Sequence, residues 1–117
     1  MKIPCKKLRK NAILPTRGTA LAAGIDLYAL LPDGQESATV APQGKYLFPT
    51  GIAVEIPEGY VALVFARSGL GIKQGVCLSN GVGVIDSDYR GEIGVGLVNL
   101  GQGDYTVRPG DRIAQLM

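Results

Sequence analysis

The sequence predicts an all-β domain, a jelly roll of short strands with room for at most one short helix. Three observations carry this. Glycine and proline, 17 and 7 of 117 residues, are spread along the whole chain and punctuate it without forming a low-complexity tract. The longest stretch free of both is Cys5 to Leu14, ten residues, so almost no longer helix can form without crossing a breaker. The segments between breakers are rich in Val, Ile, Leu, Tyr and Phe, residues that suit a pleated, half-buried surface.

Six of the twelve cations (Lys2, Lys6, Lys7, Arg9, Lys10, Arg17) precede the first acidic residue, Asp26. They read as a solvated edge strand kept soluble by lysines. Affinity for phosphate polymers is the alternative, but interleaved aromatics and a recognition helix are lacking. Strands are predicted at Ile25–Leu30, Tyr46–Phe48, Ile52–Ile56, Tyr60–Ala66, Val76–Leu78, Glu92–Asn99, Tyr105–Val107 and Arg112–Leu116. Ser68 to Lys73 is the exception, one short helical turn. Within Glu92–Asn99, Ile93, Val95 and Leu97 share a face, and the glycines between them predict close approach of another backbone. Pro57-Glu58-Gly59 and Pro109-Gly110-Asp111 are turns. With no repeat or linker, residues 1–117 read as one domain.

Composition narrows the chemistry. Hydrophobic residues make up 46% and charged residues 19%, which excludes a disordered tail. The longest apolar run, Tyr60 to Ala66, is 7 residues, far short of the roughly 20 needed to cross a bilayer. The basic start, Met1 to Lys7, leads into no apolar core of a signal peptide. Free thiols at Cys5 and Cys77, in a reducing cytoplasm, are expected over a disulfide. There is no histidine, which removes Ser-His-Asp and Cys-His nucleophiles and makes zinc implausible. No GxxxxGK[ST] occurs, so there is no P-loop. Acid–base work falls to carboxylates, tyrosine or lysine.

Four segments are too polar or too glycine-rich for ordinary strand ends. In Ala66-Arg67-Ser68-Gly69-Leu70-Gly71 a strand runs into a guanidinium, a hydroxyl and helix-start N–H groups, which together suit an anion; a strand exit with a serine N-cap is the structural alternative. In Gly81-Val82-Gly83-Val84-Ile85-Asp86-Ser87-Asp88-Tyr89-Arg90-Gly91 two carboxylates at i, i+2 share one face of an extended segment, and like charges so placed need a compensating cation or donor; an acidic turn is the alternative. Gly110-Asp111-Arg112-Ile113-Ala114-Gln115-Leu116 is a turn feeding a strand whose polar members are Arg112 and Gln115. Asp26 stands alone in the apolar setting Ala22-Ala23-Gly24-Ile25-Asp26-Leu27-Tyr28, where a hydrogen-bonded turn carboxylate is the plain account.

Taken in order, these segments resemble four of the five motifs of the trimeric deoxyuridine triphosphate nucleotidohydrolases (dUTPases): AAGIDLYA the first, ARSGLG the second, GVGVIDSDYRG the third and GDRIAQL the fourth. The resemblance spans Ala22 to Leu116. It implies a distorted jelly-roll barrel of the β-clip type, a cytoplasmic homotrimer with active sites shared between subunits, and hydrolysis of dUTP to dUMP and pyrophosphate by Mg²⁺-assisted water attack at the α-phosphorus. That reaction keeps uracil out of DNA and supplies dUMP for thymidylate synthesis. Carried over by position, Asp86 is the base and contacts the 3′-OH. Tyr89 lies against the sugar and rejects a ribose. Asn80, Gly83 and Val84, in a hairpin from Asn80 to Val84, read uracil. Arg67, Ser68, Gly69 and Gln115 hold the phosphates, and Asp26 faces Mg²⁺ through a water. The final strand and the glycine-rich C-terminal arm of the family are absent from this chain, which is expected to bind dUTP and turn it over poorly. No stable nucleic-acid or membrane binding is implied.

The nearest rival, dCTP deaminase, shares the arginine–serine segment. The glutamate it needs in the strand after the third motif falls here at Gly96, and Tyr89 replaces its usual tryptophan. A non-catalytic nucleotide sensor and a purely structural β-trimer are the readings from other classes.

Overall fold

A computed structural model describes residues 2–117; Met1, the first residue of the basic start, lies outside them. The described residues form eleven strands, β1 (Cys5–Lys7), β2 (Ile25–Tyr28), β3 (Ala38–Val40), β4 (Lys45–Pro49), β5 (Ile52–Val54), β6 (Ala62–Phe65), β7 (Val76–Leu78), β8 (Gly83–Ile85), β9 (Gly94–Asn99), β10 (Tyr105–Val107) and β11 (Arg112–Leu116), with one helix, α1 (Ser68–Gln74), between β6 and β7. They form a four-stranded sheet β2-β11-β6-β8, a three-stranded sheet β4-β9-β7, and the pairs β1-β5 and β10-β3. All ladders are antiparallel. This is the all-β jelly roll that the breaker spacing predicts, and the lysine-bearing edge strand is β1.

The sheets enclose one core centred on Leu27, Phe48, Ile52, Leu97, Val107 and Ile113, each 0–1% exposed. Each such side chain stabilises the fold by about 1.5–3 kcal/mol. Strand ends differ from the apolar runs where turns take over. Tyr60 donates its N–H to Pro57 O in a turn and stays outside β6. Ala29 N bonds Asp111 O beyond the end of β2. Ile93, Val95 and Leu97 are buried on one face as expected. The groups crowding the intervening glycines are side chains, however, not backbone: a Cβ on Gly94 would meet Leu47 Cδ1 at 3.0 Å, and one on Gly96 would meet Ser79 Oγ at 2.9 Å.

β11 carries an irregularity that shapes one of the concavities. Arg112 pairs with Tyr28 but Ala114 pairs with Leu27, so Ile113 is an extra residue. Such a bulge interrupts the alternation of a strand. Ile113 and Ala114 consequently both lie in the core, while Arg112 and Gln115, three residues apart, both leave it and line one concavity.

Candidate active site

Two concavities gather the residues singled out from the sequence. The first, about 210 Å³, is lined by Asn80, Gly83, Val84, Asp86 and Tyr89 together with Val64, Glu92 and Gly96. The second, also about 210 Å³, is lined by Asp26, Arg67, Ser68, Gly69, Arg112 and Gln115. Among the described residues none lines both.

In the first, β8 ends at Ile85 and the chain turns at once, with Tyr89 N–H bonded to Asp86 O at 3.1 Å. Ser87 and Asp88 occupy the turn. Asp86 and Asp88 therefore do not share a face of an extended segment, as i, i+2 spacing suggests; only Asp86 lines the cavity. Arg90 closes the turn by donating to Ser87 O at 2.6 Å. The Tyr89 hydroxyl donates to Glu92 O at 2.7 Å. Nor is Asn80–Val84 a hairpin of paired strands. β7 pairs with β9 and β8 with β6, so the Ser79–Val82 turn passes the chain from one sheet to another. It is tightened by Gly81 N–H to Leu78 O and Val82 N–H to Asn80 O, with Gly81 at φ 75°. That turn places Asn80, Gly83 and Val84 at one wall. At Gly96 the cavity offers no carboxylate, against deaminase chemistry.

The second concavity forms where β6 gives way to α1. Arg67, not Ser68, occupies the N-cap position, in extended conformation and without a side-chain cap bond; Ser68 is the first helical residue. The first-turn N–H groups at Ser68 and Gly69 have no helical acceptor, and both residues are exposed. Arg67 Nε faces Asp26 Oδ1 at 3.4 Å, and Arg112 Nη1 faces Asp26 Oδ2 at 3.5 Å. Gln115 Nε2 donates to Ala66 O at 2.9 Å. A Cβ at Gly24 would come within 2.8 Å of Gln115 Oε1, so glycine there is what admits the amide. Asp26 is thus neither a solitary turn carboxylate nor free for direct metal ligation. Among the described residues no cluster of three or more His, Cys, Asp or Glu could hold a metal. A Mg²⁺ carried by substrate phosphates fits better, because that ion keeps its own waters and asks for one or two carboxylates.

Reading by residue type misses one residue at each concavity, Arg112 at the second and Glu92 at the first. Arg112 shows in the sequence only as a polar strand residue; its ion pair depends on the bulge at Ile113. Glu92 carries no signal at all, since its partners Arg9 and Gly51 lie 83 and 41 residues away.

Cys5 and Cys77 are free thiols, and burial raises the pKa of Cys5 above the ordinary thiol value. No helix among the described residues is long and apolar enough to cross a membrane.

A jelly roll joining a carboxylate–tyrosine cavity to an arginine–serine–glycine corner defines a nucleotide-binding protein of the all-β class. Comparison narrows this. A dUTPase family model matches residues 10–117. Proteins named deoxyuridine 5′-triphosphate nucleotidohydrolase include one from Syntrophotalea carbinolica, 50% identical over 98% of this chain and 76% of that protein. The one from Oryza sativa subsp. japonica is 48% identical over 96% of this chain and 61% of that protein. The chain thus spans about three-fifths to three-quarters of these two relatives. Among solved structures, a Staphylococcus bacteriophage 80alpha dUTPase mutant with dUpNHpp superposes with a TM-score of 0.86, at 29% identity, over 99% of this chain and 88% of that one. A phage phi11 dUTPase mutant, described with a structural Mg(II) ion, has a TM-score of 0.86 at 28% identity over 100% of this chain and 89% of that one. This chain belongs to the dUTPase family, and hydrolysis of dUTP is the activity that family defines.

Proposed function

We propose that this protein hydrolyses dUTP to dUMP and pyrophosphate as a homotrimer, the first concavity of one protomer facing the second concavity of a neighbour. The observation that carries this reading is that Asp86 and the Arg67–Ser68–Gly69 corner line separate concavities of one chain, while the chemistry needs them around one triphosphate. A closed ring of protomers brings such complementary halves together.

Water attacks the α-phosphorus, a P–O bond to that water forms, and the bond from Pα to the bridging oxygen breaks to release pyrophosphate. Asp86, exposed at the mouth of its cavity, positions the water and takes its proton, and its other face receives the 3′-OH. General-base assistance of this kind contributes about 10²–10⁴ in rate. Asn80 with the backbone at Gly83 and Val84 reads the uracil edge, and a wall of backbone leaves no room for a 5-methyl group. Tyr89 stands against the sugar where a 2′-OH would project. The free N–H groups of Ser68 and Gly69, the Ser68 hydroxyl, Arg67 and the Gln115 amide hold the phosphates. A Mg²⁺ bound with the triphosphate supplies charge neutralisation, and Asp26 would face its water shell. The free thiols suit a reducing compartment, and we place the reaction in the cytoplasm.

Pyrophosphate release from dUTP, compared with UTP and dCTP, tests the reading. The wild type is expected to release pyrophosphate from dUTP alone and no ammonia from dCTP. Asp86→Asn is expected to keep nucleotide binding and lose turnover. Equal turnover by the variant removes Asp86 from the base role.

A further inference from the structure

Tyr89 is 45% exposed, so packing alone does not fix its ring, yet a group that excludes a single hydroxyl must be held closely. Two features hold it. The ring lies over Gly91, where a Cβ would come within 2.6 Å of Tyr89 Oη and 2.8 Å of Cζ. Its hydroxyl donates to the carbonyl of Glu92 at 2.7 Å. The ring is therefore only as well placed as that carbonyl. The segment leading to it is exposed from Asp88 to Gly91. Tyr89 N–H to Asp86 O and Arg90 to Ser87 O tie it to its own turn, and its side-chain link to the rest of the fold is the exposed Arg90–Glu55 pair at 3.9 Å.

Further restraint comes from the β4–β5 turn. Glu92 Oε2 accepts the Gly51 N–H at 2.8 Å, and Oε1 faces Arg9 Nη2 at 3.1 Å. The next residue is bound to the same turn through its backbone: Ile93 N–H donates to Ile52 O at 2.9 Å, and the buried Thr50 hydroxyl donates to Ile93 O at 2.6 Å. The turn is itself rigid. Gly51 sits at φ 71° with Leu30 and Ala12 filling the space a side chain would need, and its carbonyl accepts the Leu8 N–H at 2.7 Å.

We propose that Glu92 is a positioning residue for sugar selection: its carboxylate, bridging Gly51 N–H and Arg9, fixes the carbonyl that orients Tyr89 against a ribose. This rests on the proposed role of Tyr89 and goes beyond it by assigning the discrimination to a carboxylate whose partners lie in the β4–β5 turn and the N-terminal segment. Glu92 acts through Tyr89 and is not a catalytic residue.

The test is a double-mutant cycle read as the ratio of affinities for the non-hydrolysable α,β-imido analogues of dUTP and UTP, measured by calorimetry on the full chain. Glu92→Ala is expected to lower the deoxy-over-ribo preference by about fivefold or more, the size of effect one lost hydrogen bond to a charged group can carry, mainly by tighter binding of the ribo analogue. Glu92→Gln, which keeps an oxygen for Gly51 N–H, is expected to restore most of the preference. In a Tyr89→Phe background, Glu92→Ala is expected to change the ratio no further, because the hydroxyl that couples them is gone. Glu92→Asp, one methylene shorter, is the substitute should the alanine variant not fold, with the same direction of change. An unchanged ratio in the folded variant, or full additivity with Tyr89→Phe, overturns the proposal while leaving dUTP hydrolysis in place. Failure of the wild type to prefer the deoxy analogue overturns the role of Tyr89 and this proposal with it.

Discussion

Arg67 Nε lies 3.4 Å from Asp26 Oδ1, so the guanidinium at the start of α1 is matched by a carboxylate before any phosphate arrives. Arg112 takes the other oxygen, and Asp26 itself is only 14% exposed at its side chain. The carboxylate orients two cations that would otherwise repel each other. Asp26→Asn keeps the shape and removes the charge. Turnover of dUTP is expected to fall by about ten- to a hundredfold, the cost of modest misplacement at a phosphoryl site. Metal-free affinity for dUTP is expected to hold or rise, since two guanidiniums are released. Steady-state kinetics beside calorimetry in a chelator checks both. Weaker metal-free binding with unchanged turnover contradicts the orienting role.

Among the described residues the two concavities have none in common, which makes the sharing of sites between protomers testable by mixing. On the proposed roles, Asp86→Asn is expected to disable one half-site and Ser68→Ala with Arg67→Ala the other. Each variant alone is expected to be nearly inactive. After co-refolding in equal amounts, roughly a quarter of the sites in a ring with such heterologous interfaces combine two intact halves. Pyrophosphate release recovering to that level supports shared sites. No recovery in mixed trimers, verified by mass, places both halves in one protomer.

The legibility of these features in the sequence depends on how far apart their partners lie along the chain. Val76–Leu78, Tyr105–Val107 and Arg112–Leu116 stand as read, because each is a short run with Val, Ile, Leu or Tyr at its core and turn residues at its start or end. β3 escapes such a reading: Ala-Thr-Val is too short to show a period, and it is a strand because β10 pairs with it, with Thr39 and Thr106 hydroxyls 3.1 Å apart. Asn80-Gly81 is a hairpin signal, but the choice of β6 over β7 as the partner of β8 is made by the core, not by the turn. Site residue types are visible as motifs. The arrangement around Asp26 is not, because it needs the extra residue in β11.

Tyr105 gives a pH dependence of stability. Burial raises its pKa above the usual tyrosine value, the Asp111 charge raises it further, and Arg67 opposes. A folded-state pKa above the unfolded one means that the native state holds the proton more tightly. This contribution is fully present below the unfolded value of 10.0 and is lost as pH rises through the folded one. Urea midpoints are therefore expected to drop between about pH 9 and about pH 11, and less steeply in Tyr105→Phe. An identical slope in the two proteins rules Tyr105 out as a source.

Asn99 is fully buried at the crossing where the end of α1 meets the loop after β9. Its Nδ2 donates to Val40 O and Gly103 O at 2.8 Å each, and its Oδ1 accepts the Gly101 N–H at 2.9 Å. The crossing is tight: a Cβ on Gly101 would overlap the Gln74 carbonyl, and one on Gly75, which caps α1 at φ 72°, would sit 2.7 Å from Gly101 N. Asn99→Leu fills a similar volume but strands the buried Val40 carbonyl and forfeits the part-buried bonds to Gly103 O and Gly101 N–H. The stranded Val40 carbonyl costs about 1–3 kcal/mol where water cannot reach it, while water can reach the groups at Gly101 and Gly103, so a net loss of about 1–3 kcal/mol is expected. Because the far end of α1 carries Ser68 and Gly69, the surviving folded fraction is also expected to bind pyrophosphate more weakly. Asn99→Asp keeps an acceptor for the Gly101 N–H but turns a carboxylate oxygen toward the Val40 and Gly103 carbonyls. At neutral pH it is therefore expected to be at least as destabilised as Asn99→Leu, and less so in acid, where a protonated carboxyl can again donate. Urea midpoints at neutral and acid pH check this, and a neutral-pH loss smaller than that of Asn99→Leu assigns the stability chiefly to the Gly101 N–H.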